Sequence, residues 1–159
     1  MNAIVVFDSA HRTTADVAAR IAERLGEGAR LVFLRDKGAL GADLNDCELV
    51  VLGGPVYAGR WSKRAAKFAK IRETDLAGRK FAYFSVGMDL EDAMKAAKSA
   101  LPEKLAAAAI ASPKFGGAFR MNSLNFLERT IIKMVSKTTE DKETTDWAAV
   151  DAFADSLAR

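Results

Sequence analysis

The stretch Val50-Val51-Leu52-Gly53-Gly54-Pro55-Val56-Tyr57-Ala58-Gly59-Arg60-Trp61 constrains the fold more than any other part of the chain. An unbroken Val/Leu run suits a strand covered on both faces, and such strands belong to parallel sheets with helices above and below. In an open sheet of that kind, ligands sit just beyond the carboxyl ends of the strands. The run breaks at once into Gly53, Gly54 and Gly59, which permit backbone conformations closed to residues with a Cβ. Tyr57 and Trp61 add flat surfaces suited to a planar partner. Without a ligand, the same residues read as a Gly-Gly-Pro turn whose aromatics cap the core.

The rest of the chain alternates strand and helix around this stretch. Ala3 to Phe7 is a short apolar strand, followed by the polar loop Asp8-Ser9-Ala10-His11-Arg12-Thr13-Thr14 and a helical pattern with Val17, Ile21 and Leu25 at spacing four. Thr13 or Thr14 is placed to cap that helix, with Asp16 near its positive end. Arg30 to Leu34 reads as a second strand and Glu48 to Leu52 as a third, which leaves Gly53 to Trp61 as a loop. Ser62 is a cap for a helix reaching Glu73, apolar at Ala65, Ala66, Phe68, Ala69 and Ile71 and basic at Lys63, Arg64, Lys67, Lys70 and Arg72. The basic positions fit a solvated face or, alternatively, a surface on which a partner docks. Lys80 to Val86 is a fourth strand ending in Gly87-Met88-Asp89, and Leu90 to Ile110 is helical with an interruption at Pro102. Lys114 to Phe119 reads as a fifth strand, Asn122 to Val135 as a helix and Thr138 to Thr145 as an exposed loop. Asp146 caps a last helix that turns Trp147, Val150, Phe153, Ala154 and Leu157 inward. The pattern predicts an α/β three-layer sandwich with a central parallel sheet of about five strands, in a single domain over residues 1–159.

Charge and composition narrow the function. A formal net charge of +3 would assist an anionic partner but falls short of a nucleic-acid footprint. Cys47 stands alone and suits a reducing cytosol, and one cysteine with one histidine forms no metal constellation. No run approaches the roughly 20 apolar residues of a membrane span, and Met1-Asn2 leads into a strand without a basic leader, so a cytoplasmic or at most peripheral protein is expected. Neither a Gly-x-Ser-x-Gly elbow, a Walker loop nor a nicotinamide fingerprint is present.

These landmarks resemble the flavodoxin family, whose members bind FMN at the loops after the first, third and fourth strands. The resemblance implies a phosphate loop made by Ser9, His11, Arg12, Thr13 and Thr14. It implies that Gly53, Gly54, Pro55, Val56, Tyr57, Ala58 and Gly59 run beside the isoalloxazine ring, and that Ser85, Val86, Gly87, Met88 and Asp89 reach its edge. Arg12 stands at or beside a position where such loops usually carry glycine. A left-handed conformation there would cost about 1–2 kcal/mol, while the guanidinium could bring a cation to the phosphate. His11 is a phosphate donor, a pH-dependent group or simply an exposed loop residue. Asp8 occupies the place of the phosphoryl-accepting acid in response-regulator receivers, but it has no acidic neighbour.

Phe126 to Val135, the polar loop Thr138 to Thr145, and Thr145-Asp146-Trp147 with the closing helix resemble the menaquinone-dependent protoporphyrinogen dehydrogenases of the flavodoxin superfamily. That resemblance implies an FMN oxidoreductase taking hydrogen from a porphyrinogen and passing electrons to a quinone at the inner membrane face, without spanning it. The basic, aromatic segment of that family is here Met121-Asn122-Ser123-Leu124-Asn125, which has no positive charge. Two alternatives stand beside this reading: a flavodoxin-type carrier that exchanges electrons with a protein partner, and a flavin-free partner protein of the same fold. No side chain is assigned a catalytic role, because the cofactor would carry the redox chemistry.

Overall fold

A computed structural model describes residues 1–10, 12–87, 90–116, 118–119, 142–143 and 145–159. His11, Met88, Asp89 and the expected Asn122 to Val135 helix lie outside the described residues. The core strands are β1 (Ala3–Phe7), β2 (Ala29–Phe33), β3 (Leu49–Tyr57), β5 (Lys80–Val86) and β6 (Lys114–Phe115); they pair in parallel in the order β2-β1-β3-β5-β6. Between β3 and the helix that follows, a short β4 (Arg60–Trp61) folds back antiparallel on β3.

Alternation along the strands produces two apolar layers, because successive side chains point to opposite faces. Ile4, Val6, Val50, Leu52, Phe81 and Tyr83 face one way, while Val5, Phe7, Leu49, Val51, Ala82 and Phe84 face the other. On the first side, α2 (Lys63–Ile71) contributes Ala65, Phe68 and Ala69; α3 (Glu73–Ala77) adds Leu76, α4 (Leu90–Ala100) Ala97 and α5 (Glu103–Ala108) Leu105. On the second, α1 (Thr13–Leu25) supplies Val17 and Ile21, and the closing α6 (Trp147–Leu157) supplies Val150, Phe153 and Leu157. The three-layer α/β arrangement expected from the sequence is therefore present, with five parallel strands.

Several boundaries differ from the sequence reading, each for a local reason. The third strand does not stop at Leu52: β3 continues to Tyr57, with Gly53 to Pro55 still paired to Phe84, Ser85 and Val86 of β5. The fifth strand is split, because Ala118–Phe119 (β7) leaves the main sheet and pairs antiparallel with Lys142–Glu143 (β8), inside the stretch read as an exposed loop. Arg12, not a threonine, occupies the N-cap of α1, and Thr13 and Thr14 form its first turn. Trp147 is 38% exposed at the start of α6 rather than turned inward. Ser62 and Asp146 do cap α2 and α6, each accepting the backbone N–H three residues on. Among the described residues no helix is long and apolar enough to cross a membrane.

Two charged pairs fasten the closing helix to the first. Arg20 holds both carboxylate oxygens of Asp151, Nε at 2.6 Å and Nη2 at 2.8 Å, and Arg24 grips Asp155 one turn further along each helix. Hydrogen bonding from Arg20 holds the Asp151 carboxyl below its ordinary range, against the opposing effect of burial and with lesser help from the Arg20 and Arg24 charges. A depressed carboxyl contributes stability above its unfolded pKa of about 4 and loses it as pH falls through the lower folded value. The unfolding free energy of Asp151→Asn should therefore vary less steeply with pH below about pH 4 than that of the unsubstituted chain, as followed by urea midpoints.

At Gly53 the constraint is steric. A Cβ there would lie 2.0 Å from Cζ of Phe84, whose ring covers the strand. Gly53→Ala is expected to lower stability by about 1–3 kcal/mol through overpacking, read as a reduced denaturant midpoint.

Candidate cofactor-binding site

The sheet order fixes where a site can form. The crossover from β1 runs through α1 to β2 on one side, whereas the crossover from β3 runs through α2 and α3 to β5 on the other. Neighbouring strands whose connections part in this way leave a crevice at their carboxyl ends. Phe7, Gly53 and Phe84 stand side by side on β1, β3 and β5, so the segments beyond them emerge at one level on one rim. Asp8 is still tied to that level, its N–H donating to the Gly53 carbonyl at 3.1 Å.

The first segment is held by its own hydroxyl. Ser9 Oγ accepts the Ala15 N–H at 3.3 Å, which folds the loop over the start of α1, and Ser9, Thr13 and Thr14 are all buried. The first turn of a helix directs N–H groups and a positive partial charge outward, an arrangement suited to an anion. Arg12 precedes it with φ −27°, on the right-handed side, so the left-handed strain expected from an arginine at this position does not arise. Its side chain is 78% exposed and lies 3.7 Å from Asp16, outside the loop rather than filling it.

The second segment is a hairpin, not an open loop. Val56 pairs with Trp61 and Tyr57 with Arg60, leaving Ala58 and Gly59 as a two-residue turn with φ of 50° and 74°. Positive φ at both central positions is the turn whose twist matches paired strands. Gly59 adopts it freely, while Ala58 does so under strain. Trp61 folds back under the hairpin, donating its Nε1–H to the Gly54 carbonyl at 3.1 Å and meeting Tyr83 edge-on at 6.3 Å. It packs in the core; Tyr57, 40% exposed at the tip, is the aromatic left at the rim. Gly53 and Gly54 belong to the packed strand, the first beneath Phe84 and the second against Ser62 and Trp61. Pro55 and Val56 carry the strand outward to the tip.

The third segment begins at Ser85 and Val86, both buried, and Gly87, whose N–H donates to the Phe115 carbonyl at 3.0 Å. Thus Ser9, Arg12, Thr13, Thr14, the Gly54 to Gly59 stretch and Ser85 to Gly87 sit along one edge, while His11, Met88 and Asp89 lie outside the described residues. Geometrically, the rim has an anion-receptive end at α1 and an aromatic end at Tyr57.

One part of the rim had no counterpart in the sequence pattern. The buried Asp8 carboxylate accepts from Arg35 Nε at 2.9 Å and from Ser62 Oγ at 2.7 Å. Ser62 meanwhile accepts the Ala65 N–H, so a single hydroxyl both caps α2 and reaches the end of β1. The position of Asp8 directly after an apolar strand was the only available signal. Its partners lie 27 and 54 residues away, beyond any local spacing.

A family profile described as a flavodoxin domain matches residues 4–146. Among solved structures, the two-electron reduced flavodoxin of Megasphaera elsdenii superposes with a TM-score of 0.55, at 20% identity over 70% of this chain and 84% of its own. Flavodoxin 1 of Bacillus cereus gives 0.55 at 17% identity, over 72% and 84%. A flavoprotein from Lactobacillus acidophilus, solved in complex with FMN, gives 0.52 at 14% identity, over 71% and 92%. Identities of this size speak for a shared fold. No curated protein sequence matches the chain.

Replacing Ser62 by Ala removes the cap of α2 and strands one Asp8 oxygen. The expected loss is about 1–3 kcal/mol, at or above the usual range for a cap alone. Ser62→Thr, which keeps the hydroxyl, should recover most of it in the same urea titration.

Proposed function

Because the chain belongs to the flavodoxin-domain family, we propose that it is an FMN-binding redox protein whose cofactor lies along the β1–β3–β5 rim. The observation that carries this reading is the common level of the three segments, with a helix N-terminus at one end and an exposed tyrosine at the other. Both ends of FMN find chemistry that fits them. Ser9, Thr13 and Thr14 with the first turn of α1 hold the phosphate by hydroxyls and N–H groups, and Arg12 leaves the loop open by turning toward Asp16. Tyr57 flanks the ring, the Ala58-Gly59 turn sets its height, and the backbone of Ser85 to Gly87 borders the ring edge. His11, Met88 and Asp89 complete these loops in sequence. Bound there, FMN would supply one- and two-electron chemistry. The protein's part is to bind, orient and exclude water, and the Asp8–Ser62–Arg35 contacts keep the first two segments in register.

The finer reading is an oxidoreductase of the quinone-linked protoporphyrinogen dehydrogenase type. Thr145-Asp146-Trp147 and the closing helix support it through sequence likeness. A carrier that serves a protein partner is the second reading, favoured by the cationic α2 face beside the rim and by the uncharged Met121 to Asn125 segment. Turnover of protoporphyrinogen with a menaquinone analogue separates them, since a carrier would leave that substrate unchanged.

An absorbance spectrum of the purified chain should carry the two visible flavin bands, or gain them on addition of FMN. Thr14→Ala is expected to weaken FMN binding by about 1–3 kcal/mol, roughly 5- to 150-fold in Kd, in a flavin-fluorescence titration. An unaltered Kd would place the phosphate away from α1.

A further inference from the structure

Positive charge is distributed unevenly over this protein. From Leu49 to Arg72 the chain contains no Asp or Glu, yet it carries Arg60, Lys63, Arg64, Lys67, Lys70 and Arg72. Arg72 is spent internally: Nε pairs with Asp75 at 2.8 Å, and Nη1 donates to the carbonyls of Leu40 and Ala42 at 3.0 and 2.8 Å. The other five are exposed, and none takes part in an ion pair or side-chain hydrogen bond among the described residues. Lys63, Lys67 and Lys70 follow the i, i+4, i+7 spacing that lines one side of a helix. On the opposite layer, by contrast, Arg20 and Arg24 are each matched by an aspartate.

The cations begin where the cofactor rim ends. Arg60 pairs with Tyr57 in the hairpin, and Lys63 opens α2 next to Ser62, which itself touches Asp8 at the end of β1. An open groove of about 420 Å³ lies between Gly59, Arg60 and Trp61 on the hairpin and Lys95, Ala96 and Ser99 on α4.

We infer that the β3–β4 hairpin and the outer side of α2 form the docking face for an acidic protein partner, which they seat beside the cofactor rim. Unpaired cations on one side of a molecule steer an anionic partner and orient it on approach. A lipid surface fits the face poorly. A helix that binds lipid buries its apolar side in the bilayer interface, whereas Ala65, Phe68 and Ala69 of α2 are wholly buried in the core and Ile71 is its one large apolar side chain in solvent. A nucleic acid calls for a broader basic field than a net charge of +3 provides. The inference rests on the FMN reading for the partner's redox character; the docking contact itself does not require flavin.

The test uses the full chain and a fluorescently labelled plant-type [2Fe–2S] ferredoxin as the acidic probe, with basic cytochrome c as its counterpart. Binding is followed by anisotropy at about 20 mM and about 200 mM salt, where screening differs strongly. The lysines of K63E/K67E/K70E point to solvent, and an unchanged melting curve checks that the variant is folded. The unsubstituted chain should bind ferredoxin at low salt, lose affinity as salt rises, and ignore cytochrome c. The variant should bind ferredoxin at least tenfold more weakly and gain affinity for cytochrome c. Equal ferredoxin binding by both proteins, or none by either, overturns the proposal. So does lysine-dependent sedimentation with phosphatidylglycerol vesicles in the absence of ferredoxin binding, which would assign the face to lipid. FMN uptake, measured separately by absorbance, decides the cofactor reading without affecting the anisotropy result.

Discussion

The parallel pairing of β1 with β3 is the constraint on which the rest of this structure depends. Phe7 stands beside Gly53, and from that level the two chains part, one to α1 and the other, by way of the hairpin, to α2. Helices on opposite layers cannot both cover the gap between their strands, so the carboxyl edge stays open there. The same pairing requires a bare Cα at position 53, because the Phe84 ring occupies the space above it. Core packing and the site are thus one problem: the ring that fills the second apolar layer also fixes where the strand carrying the hairpin must run.

Asp8 shows how the rim is kept in shape. A carboxylate removed from water is costly unless its oxygens are satisfied and a cation is near. Here one oxygen meets Arg35, just beyond β2, and the other meets Ser62 at the head of α2. Three connections that have no reason to know of one another are tied to a single side chain. This arrangement also accounts for an acid standing where the sequence offered a receiver-type reading: its oxygens are taken up in holding loops together.

Much of the architecture was legible because each strand carries its own signal. Ala3 to Phe7, Leu49 to Leu52 and Phe81 to Phe84 are continuous apolar runs, and Ser62 and Asp146 are cap residues at the correct distance from a helical pattern. The misreadings arose where a residue's role depends on distant partners. Gly-Gly-Pro looked like the end of a strand, but pairing with Ser85 and Val86 carries β3 on to a tight hairpin. Trp61 gave no sign of whether it would face a ligand or the core until the Gly54 carbonyl appeared as its partner. Arg12 was judged by the glycine it replaces, although the backbone there stays right-handed and makes no such demand.

The clamp between α1 and α6 has a consequence for how the chain reaches this state. Arg20 and Arg24 find their aspartates 131 residues later, and the Val17 and Ile21 side of α1 meets Val150 and Phe153 in the second apolar layer. During synthesis that layer lacks part of its cover until residues 147–157 leave the ribosome. Contacts so remote in sequence slow the search for the native state, and a half-clad sheet is the species most prone to self-association. Docking of this helix completes the cover of that layer, and the period before it docks is when a nascent chain would most need a chaperone.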